Sequence, residues 1–471
     1  MSYTPFDKNF TELEEPELNE LIEKGISEGW YIEYKVEFPK KAGGKLDQEK
    51  IAKTIASFAN TKGGWLFYGI KTDDKNIATE LCGVNLSEYQ NIADQISQII
   101  AGNIAPNPVF HIKIVKLNQT ENYIIIIQVE ESPIPPYITS QGVIYQRENN
   151  ECRPVKDRYI LEKLYEKTND YYSIIDNFCS VNYGETKGQS ESNQSYLELY
   201  LFPLPYGSFV IDNFYSTDFF KKTASKFYSG TELTLTDNDK KSKLTFDLRF
   251  NSIYSSQKSL IIRPLFKENL IYKTTTVELF VNAGLKFIVP LSEFNLKNVP
   301  SRFKESKVIE YLRNKYSSKA TIHPFNTNDL LSGSPIETDF DRIIKMIDGA
   351  EIMHVMLAIC SIYKAILQDS GFDMKTKIGF RTRLTGIWRK FIFFDNEDYL
   401  EKVKLYNIPL APKNELEIPR FSKGNFYSIT LDDYSYIALA GMILQGIGLP
   451  DVSSIKFTDI FHDSMRSYSD D

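Results

Sequence analysis

At 471 residues the chain is long enough for two or three domains, each with a core of its own. Hydrophobic residues at 42% and charged residues at 25% are ordinary globular usage, which argues against wholesale disorder. A net charge of -7 argues against a chain coated in cations that grips duplex DNA by counterion release, although a local basic groove remains compatible with it.

The opening MSYTPFDKNFTELEEPELNE is acidic and polar, without the basic, apolar, small-residue order of a signal peptide. Cys82, Cys152, Cys179 and Cys360 stand far apart with no CxxC pair, and His111, His323, His354 and His462 are equally dispersed. Neither a zinc site nor a disulfide framework is expected, and a reducing cytoplasm fits best. YIIIIQV near residue 125 reads as a buried strand. MHVMLAICSIYKAIL from Met353 reads as a core helix that carries His354 inside, too short or too charged to cross a bilayer.

In chain order, an amphipathic acidic lead is followed by a strand over 30–36 and a helix over 46–60, whose Ile51, Ile55 and Phe58 have helical spacing. Then come a strand WLFYGI, a helix over 87–101, strands over 110–115, 123–129 and 143–146, and a charged helix over 157–167. This order predicts an α+β domain over 1–170. A polar stretch near 170–191 suggests a boundary. Strands are expected over 196–202, 209–213, 244–250, 260–264 and 276–280, giving a mixed α/β region over 171–300. Helices over 306–316, 339–367 and 432–444 suggest a mainly helical region over 301–471.

The stretch SFANTKGGWLFYGI poses a choice between a glycine loop that cradles phosphate and a plain turn. A phosphate-binding loop lies between a strand and the helix that follows it, with helix amides aimed at the phosphate. Here the helix comes first, so Gly63 and Gly64 read as a helix stop and turn. On the strand before it, alternation puts Glu33, Lys35 and Glu37 on one face and Ile32 and Tyr34 on the other, inward one. A carboxylate and a lysine so placed suit phosphate chemistry: the acid can hold a divalent metal and the ammonium can steady charge on phosphate oxygens. The same residues also suit a solvated strand face. The loop FPKKAGGKLDQEK gathers Lys40, Lys41 and Lys45 around two glycines, either as flexible phosphate contacts or as a solvated loop. Arg147, Arg153, Lys156 and Arg158 make a second basic segment.

Taken together, IEYK, the helix ending SFANTKGG, the strand WLFYGI, ELCGV and the tail SPIPPYITSQGVIYQRENNECRPVKDRYILEKL resemble the Schlafen AlbA-like domain, over roughly residues 25–167. The resemblance implies a nucleic-acid-binding fold and, in nuclease-active members, a Mg²⁺- or Mn²⁺-dependent endoribonuclease acting on structured RNA such as tRNA. It implies Glu28 and Glu33 as metal ligands in the family's E-x4-E spacing, with Lys35 stabilising charge. The family's third acid falls at Lys71, and the nearest acids are Asp73 and Asp74; Asp73 keeps the parity of Lys71 and is the expected substitute ligand. Arg147 stands at the family's Y-x-R arginine, as a phosphate contact or a structural ion-pair partner. One FANTKGG in the chain implies a homodimer if two lobes are to surround RNA. Two readings therefore stand: an endoribonuclease in anti-phage or stress defence, or a non-catalytic regulator or sensor in which Lys71 contacts phosphate, single-stranded or tRNA-like nucleic acid is bound, and the C-terminal region meets a partner.

Overall fold

The computed structural model describes residues 3–180, 194–228, 231–237, 240–246, 252–263, 275–316, 320–322, 336–338, 345–373, 376–419, 426–429, 441–457 and 459–460. They divide into two compact units, Met1–Ile174 and Ile175–Asp471.

The first unit runs α1 (Glu15–Glu23), β1 (Ile32–Lys35), α2 (Gln48–Ala59), β2 (Gly64–Tyr68), β3 (Ile70–Thr72), β4 (Ala78–Leu81), α3 (Ile92–Asn103), β5 (Ile104–Ala105), β6 (Phe110–Lys116), β7 (Tyr123–Val129), β8 (Ile138–Thr139), β9 (Tyr145–Glu148) and β10 (Glu151–Pro154). A last helix, α4 (Arg158–Phe178), begins in this unit and is longer than its sequence suggests. The central sheet has the order β1-β2-β7-β6, with β1 parallel to β2 and the other pairs antiparallel.

Helix α2 starts where the Asp47 carboxylate accepts from the Lys50 amide at 3.3 Å, satisfying one of the amides that a helix start leaves open. Ile51, Ile55 and Phe58 then face the core at zero exposure, as their spacing predicts. The helix stops when the Gly63 amide reaches back to the Phe58 carbonyl at 2.9 Å. Gly63 has φ +70°, and a Cβ there would lie 2.6 Å from the backbone of Val129 and Glu131, so this close turn requires glycine.

Side chains alternate across the sheet, and both faces are covered. Leu66, Tyr68, Ile125 and Ile127 pack with α2 and α3, whereas Trp65, Phe67, Ile124 and Ile126 pack with Ile32, Tyr34 and the Leu13, Leu18 and Leu21 side chains of the N-terminal segment. The acidic lead is therefore a lid over the second face. The face expected to be open is covered as well: Glu33 is buried at 6% exposure on the α2 side, where Arg147 pairs with it, and Lys35 alone of the four β1 residues is exposed.

The second unit is built on an antiparallel sheet in the order Ser252–Ser255, Ser259–Arg263, Thr276–Phe280, Leu285–Pro290, Tyr196–Pro203, Ile378–Thr385 and Glu415–Ile418, with Tyr427–Ile429 also paired to Ile378–Thr385. Strands from both sides of residue 300 share this sheet. The mixed middle region and helical C-terminal region expected from the sequence are thus one unit, because the sheet needs strands from both to close its core. Residues 209–213 form a turn rather than a strand, with the Phe214 amide bonded to the Ile211 carbonyl and both side chains buried. Among the described residues the unit also carries helices α5 (Thr217–Tyr228), α6 (Lys307–Tyr316), α7 (Gly349–Asp369) and α8 (Glu397–Tyr406). The expected start of a helix at 339 and most of the one over 432–444 lie outside the described residues, as do His323, His462 and the polar stretch 181–193.

At 21 residues α7 is long and apolar enough to cross a membrane, yet 78% of its most apolar window is buried within the protein, and His354 lies in its core. The helix is interior, as read from the sequence, although it has the length and apolarity to span that the sequence reading denied the run from Met353. In its first turn Glu351 accepts from the Ser292 amide and hydroxyl at 3.2 and 3.0 Å. Burial and the nearby Asp348 carboxylate push the Glu351 carboxyl up to about 7, against the opposing pull of Ser292 and Arg302. Its ordinary value is 4.5, so between those two values the folded state binds more protons than the unfolded one. Stability is expected to fall as pH rises through that window. Glu351→Gln is expected to flatten the slope, read as unfolding midpoints at about pH 5 and about pH 8; a slope unchanged by the substitution would assign it to another group.

Candidate nucleic-acid interface

The short turn 29–32 leads into β1 and organises the site. The Gly29 amide bonds the Ile32 carbonyl at 3.0 Å, the Tyr31 carbonyl accepts from the Trp65 amide at 2.7 Å, and the Glu28 amide donates to the Asn76 carbonyl at 2.8 Å. Arg147 closes the turn from inside. Its Nε and one terminal nitrogen donate to the Gly29 carbonyl at 3.0 and 2.8 Å, and that nitrogen also reaches the Ile32 carbonyl at 3.2 Å and Glu33 Oε2 at 2.7 Å. The guanidinium lies over the Phe58 ring, 4.4 Å from its centroid.

Of the two roles read for Arg147, the structure shows the ion-pair one. Its side chain is 0% exposed and its donors are spent inside the domain, so it presents nothing to a phosphate. Burying this charge is tolerable because a carboxylate and two carbonyls pair with it.

Lys35 Nζ lies 2.5 Å from Glu33 Oε1, 3.7 Å from Glu28 Oε1 and 3.1 Å from the Tyr34 carbonyl. Three oxygens therefore surround one cation, and that cation is the protein's own ammonium. Glu28 Oε1 also accepts from the Tyr34 amide at 2.9 Å. Burial raises the Glu28 carboxyl above its ordinary range and the Glu33 charge adds to it, while Lys35, the Tyr34 amide and Arg147 pull it down. Two carboxylates and two cations make the cluster electrically balanced.

Asp73 does not join it. Strand β3 ends at Thr72 after an irregularity between Lys71 and Thr72, and Asp73 opens the turn to β4. Its Oδ1 accepts from the Lys75 and Ile77 amides at 2.8 and 2.9 Å, the habit of an aspartate that builds a turn. The turn's backbone lies against Ser27 and Glu28, but its acid is committed locally. Among the described residues no group of three His, Cys, Asp or Glu side chains is placed to hold a metal ion. The three-acid metal centre implied by the family resemblance does not fit this arrangement.

Lys71 is exposed on β3, opposite Glu80 of β4. The lysine-rich loop after β1 is a closed turn rather than a slack one: the Lys41 amide bonds the Lys45 carbonyl at 2.8 Å, and Lys40 bridges to Leu46. Lys40 pairs with Glu88 at 3.3 Å and Lys41 with Glu49 at 3.0 Å, while Lys45 is exposed. Such exposed pairs are worth little, so phosphate can compete for these ammonium groups.

The motif SFANTKGG proves to be a lock. Asn60 donates to the Tyr137 and Tyr145 carbonyls at 2.8 and 2.9 Å and accepts from the Tyr137 amide at 2.6 Å. Thr61 Oγ1 donates to the Ser57 carbonyl at 2.8 Å and accepts from the Arg147 amide at 3.0 Å. The helix end, the Pro-Tyr segment and the Y-x-R strand thus meet at one residue pair, and the double glycine is a turn that touches protein.

Residues 28–156 match the family model Schlafen, AlbA_2. The AlbA_2 domain so delimited runs from Glu28 through β10, and such a domain points to nucleic-acid binding. A crystal structure of the DIP2311 protein from Corynebacterium diphtheriae is similar at 21% identity, covering 31% of this chain and 27% of that one, with a TM-score of 0.21. This chain therefore spans about a quarter of that protein's length. No curated protein matches the chain.

Sequence reasoning named Arg147 with the ion pair as one of two roles, but alternation on a short strand did not reveal its burial. It missed the aromatics at the start of β1, the Tyr3–Tyr31 stack at 4.6 Å and the exposed Trp30.

Proposed function

We propose that the AlbA_2 domain binds nucleic acid at the surface of β1 and the turn before it, as a recognition module rather than a cutting one. The observation that carries this reading is Lys35 Nζ seated between Glu33 Oε1 and Glu28 Oε1 at 2.5 and 3.7 Å, half exposed, at a place where, among the described residues, no three acids gather to hold a metal. The ammonium fills the position where a cation is held and stays half exposed, so a phosphate can compete with its own carboxylates for it. Lys45 and Lys71, also exposed, extend the phosphate-binding surface, and Lys40 and Lys41 join when phosphate displaces Glu88 and Glu49.

Metal-dependent cleavage of structured RNA such as tRNA is the second reading. It is favoured by the same convergence of Glu28 and Glu33 on one cation, since Mg²⁺ or Mn²⁺ would be held by those two acids if Lys35 moved aside. A role in anti-phage or stress defence, a homodimer and a cytoplasmic location belong to this proposal and rest on the family resemblance and the one FANTKGG.

Both readings meet in one experiment. Labelled tRNA and single-stranded DNA are incubated with the full chain in Mn²⁺, Mg²⁺ or EDTA, beside a Glu28→Gln/Glu33→Gln variant whose folding is checked by circular dichroism. The expected result is binding that weakens with salt, needs no metal and leaves the strands intact. Metal-dependent cutting that the variant loses would replace recognition with catalysis.

A further inference from the structure

Trp30 is 46% exposed and, among the described residues, its ring has neither an aromatic nor a cationic neighbour. The other two tryptophans are accounted for: Trp65 is buried in the sheet core, and Trp388 has the Arg389 guanidinium 5.4 Å from its ring centroid. Leaving so large a ring in water forgoes the stabilisation that burial would bring. The chain does so on a backbone that is held with unusual rigour.

The turn that carries Trp30 is fixed by the Gly29 amide, by Arg147 on the Gly29 and Ile32 carbonyls, by Trp65 on the Tyr31 carbonyl and by Asn76 on the Glu28 amide. Next to it, Tyr31 stacks on Tyr3 with 23° between the ring planes, and Tyr3 is itself anchored by the Trp65 indole, which donates to its carbonyl at 2.9 Å. Tyr3 is exposed at 39%. A ring carried on a backbone fixed before a ligand arrives loses less freedom on binding than one on a slack loop, which favours a stacking surface.

We infer that Trp30, carried on the braced turn ahead of β1, is the stacking platform for an unpaired base of the bound nucleic acid. This rests on the nucleic-acid reading of the domain and adds a substrate class to it: strands with bases out of the helix, in single-stranded segments or loops. Every base has a π-face, so the platform selects unpaired over paired strands without reading sequence. Lys35, five residues on, supplies the phosphate contact.

The test uses the full chain with a fluorescent oligouridylate of about 12 nucleotides and a blunt duplex of the same length. Trp30→Ala is expected to weaken oligouridylate binding roughly 5- to 150-fold, the range given by stacking one base on an aromatic side chain. Duplex affinity should stay within about twofold, and the slope of affinity against salt should not change, because no cation has been removed. Trp30→Phe should retain most of the binding, and parent tryptophan emission should be quenched by the oligonucleotide. Equal oligouridylate binding by parent and Trp30→Ala would overturn the platform while leaving the domain's reading intact. A parent that binds neither strand at low salt would overturn both.

Discussion

Replacing Arg147 with methionine is expected to destabilise the N-terminal unit by about 3–5 kcal/mol, the cost of breaking a buried ion pair from one side. Methionine fills part of the volume over Phe58 but donates to nothing, so the Gly29 and Ile32 carbonyls lose a partner and Glu33 keeps only the half-exposed Lys35. Arg147→Lys is expected to restore little of this. An ammonium is a point charge and cannot span two carbonyls and a carboxylate as a planar guanidinium does. Urea unfolding followed by the emission of the buried Trp65 measures the loss. The double change Arg147→Met/Glu33→Leu is expected to recover part of it, since removing both partners leaves no orphaned charge. A midpoint unchanged in Arg147→Met would mean that the pair is not holding the start of β1.

The second large effect is expected at Asn60. Asn60→Ala deletes three bonds at once and leaves the Tyr137 amide and two carbonyls without them in an interior where water does not readily substitute. With about 1–3 kcal/mol for each orphaned group, a loss of about 3 kcal/mol or more follows even if some groups relax. Asn60→Asp does not rescue it, because the carboxylate keeps the acceptor but loses both donors and buries a charge. Hydrogen exchange at the Tyr137 amide reports the change directly. Protection there that survives Asn60→Ala would show that another acceptor holds that amide.

How much of this was legible beforehand depends on whether a signal is local. The spacing of Ile51, Ile55 and Phe58 announced α2, the run YIIIIQV announced a strand buried on both faces, and the helix-then-glycine order identified a turn rather than a phosphate loop. The site's outline was legible through family motifs, which placed Glu28, Glu33 and Lys35 together as the structure does. What failed were inferences that needed to know what lies above a strand. Two-residue alternation assigned Glu33 to an outer face, but α2 and the arginine from β9 cover that face. Parity carried Asp73 toward the other acids on the assumption that β3 continues, but the strand ends at Thr72 and Asp73 opens a turn instead. The strands Ile378–Thr385 and Glu415–Ile418 were missed, the region after residue 300 being read as mainly helical, because antiparallel pairing between distant segments leaves no mark within either one.

The meeting of Asn60, Thr61, Tyr137 and Arg147 also bears on what inheritance through this fold can transmit. The residues by which the domain is recognised are fastened to one another, with their polar atoms turned inward. Substituting any one of them jeopardises folding before it alters chemistry. Lys35, Lys71 and Trp30 stand outside that lock, on surface that folding does not police. A change at those outward positions can therefore alter what the domain binds while the fold and its inward motifs stay intact, and an activity should be assigned from them.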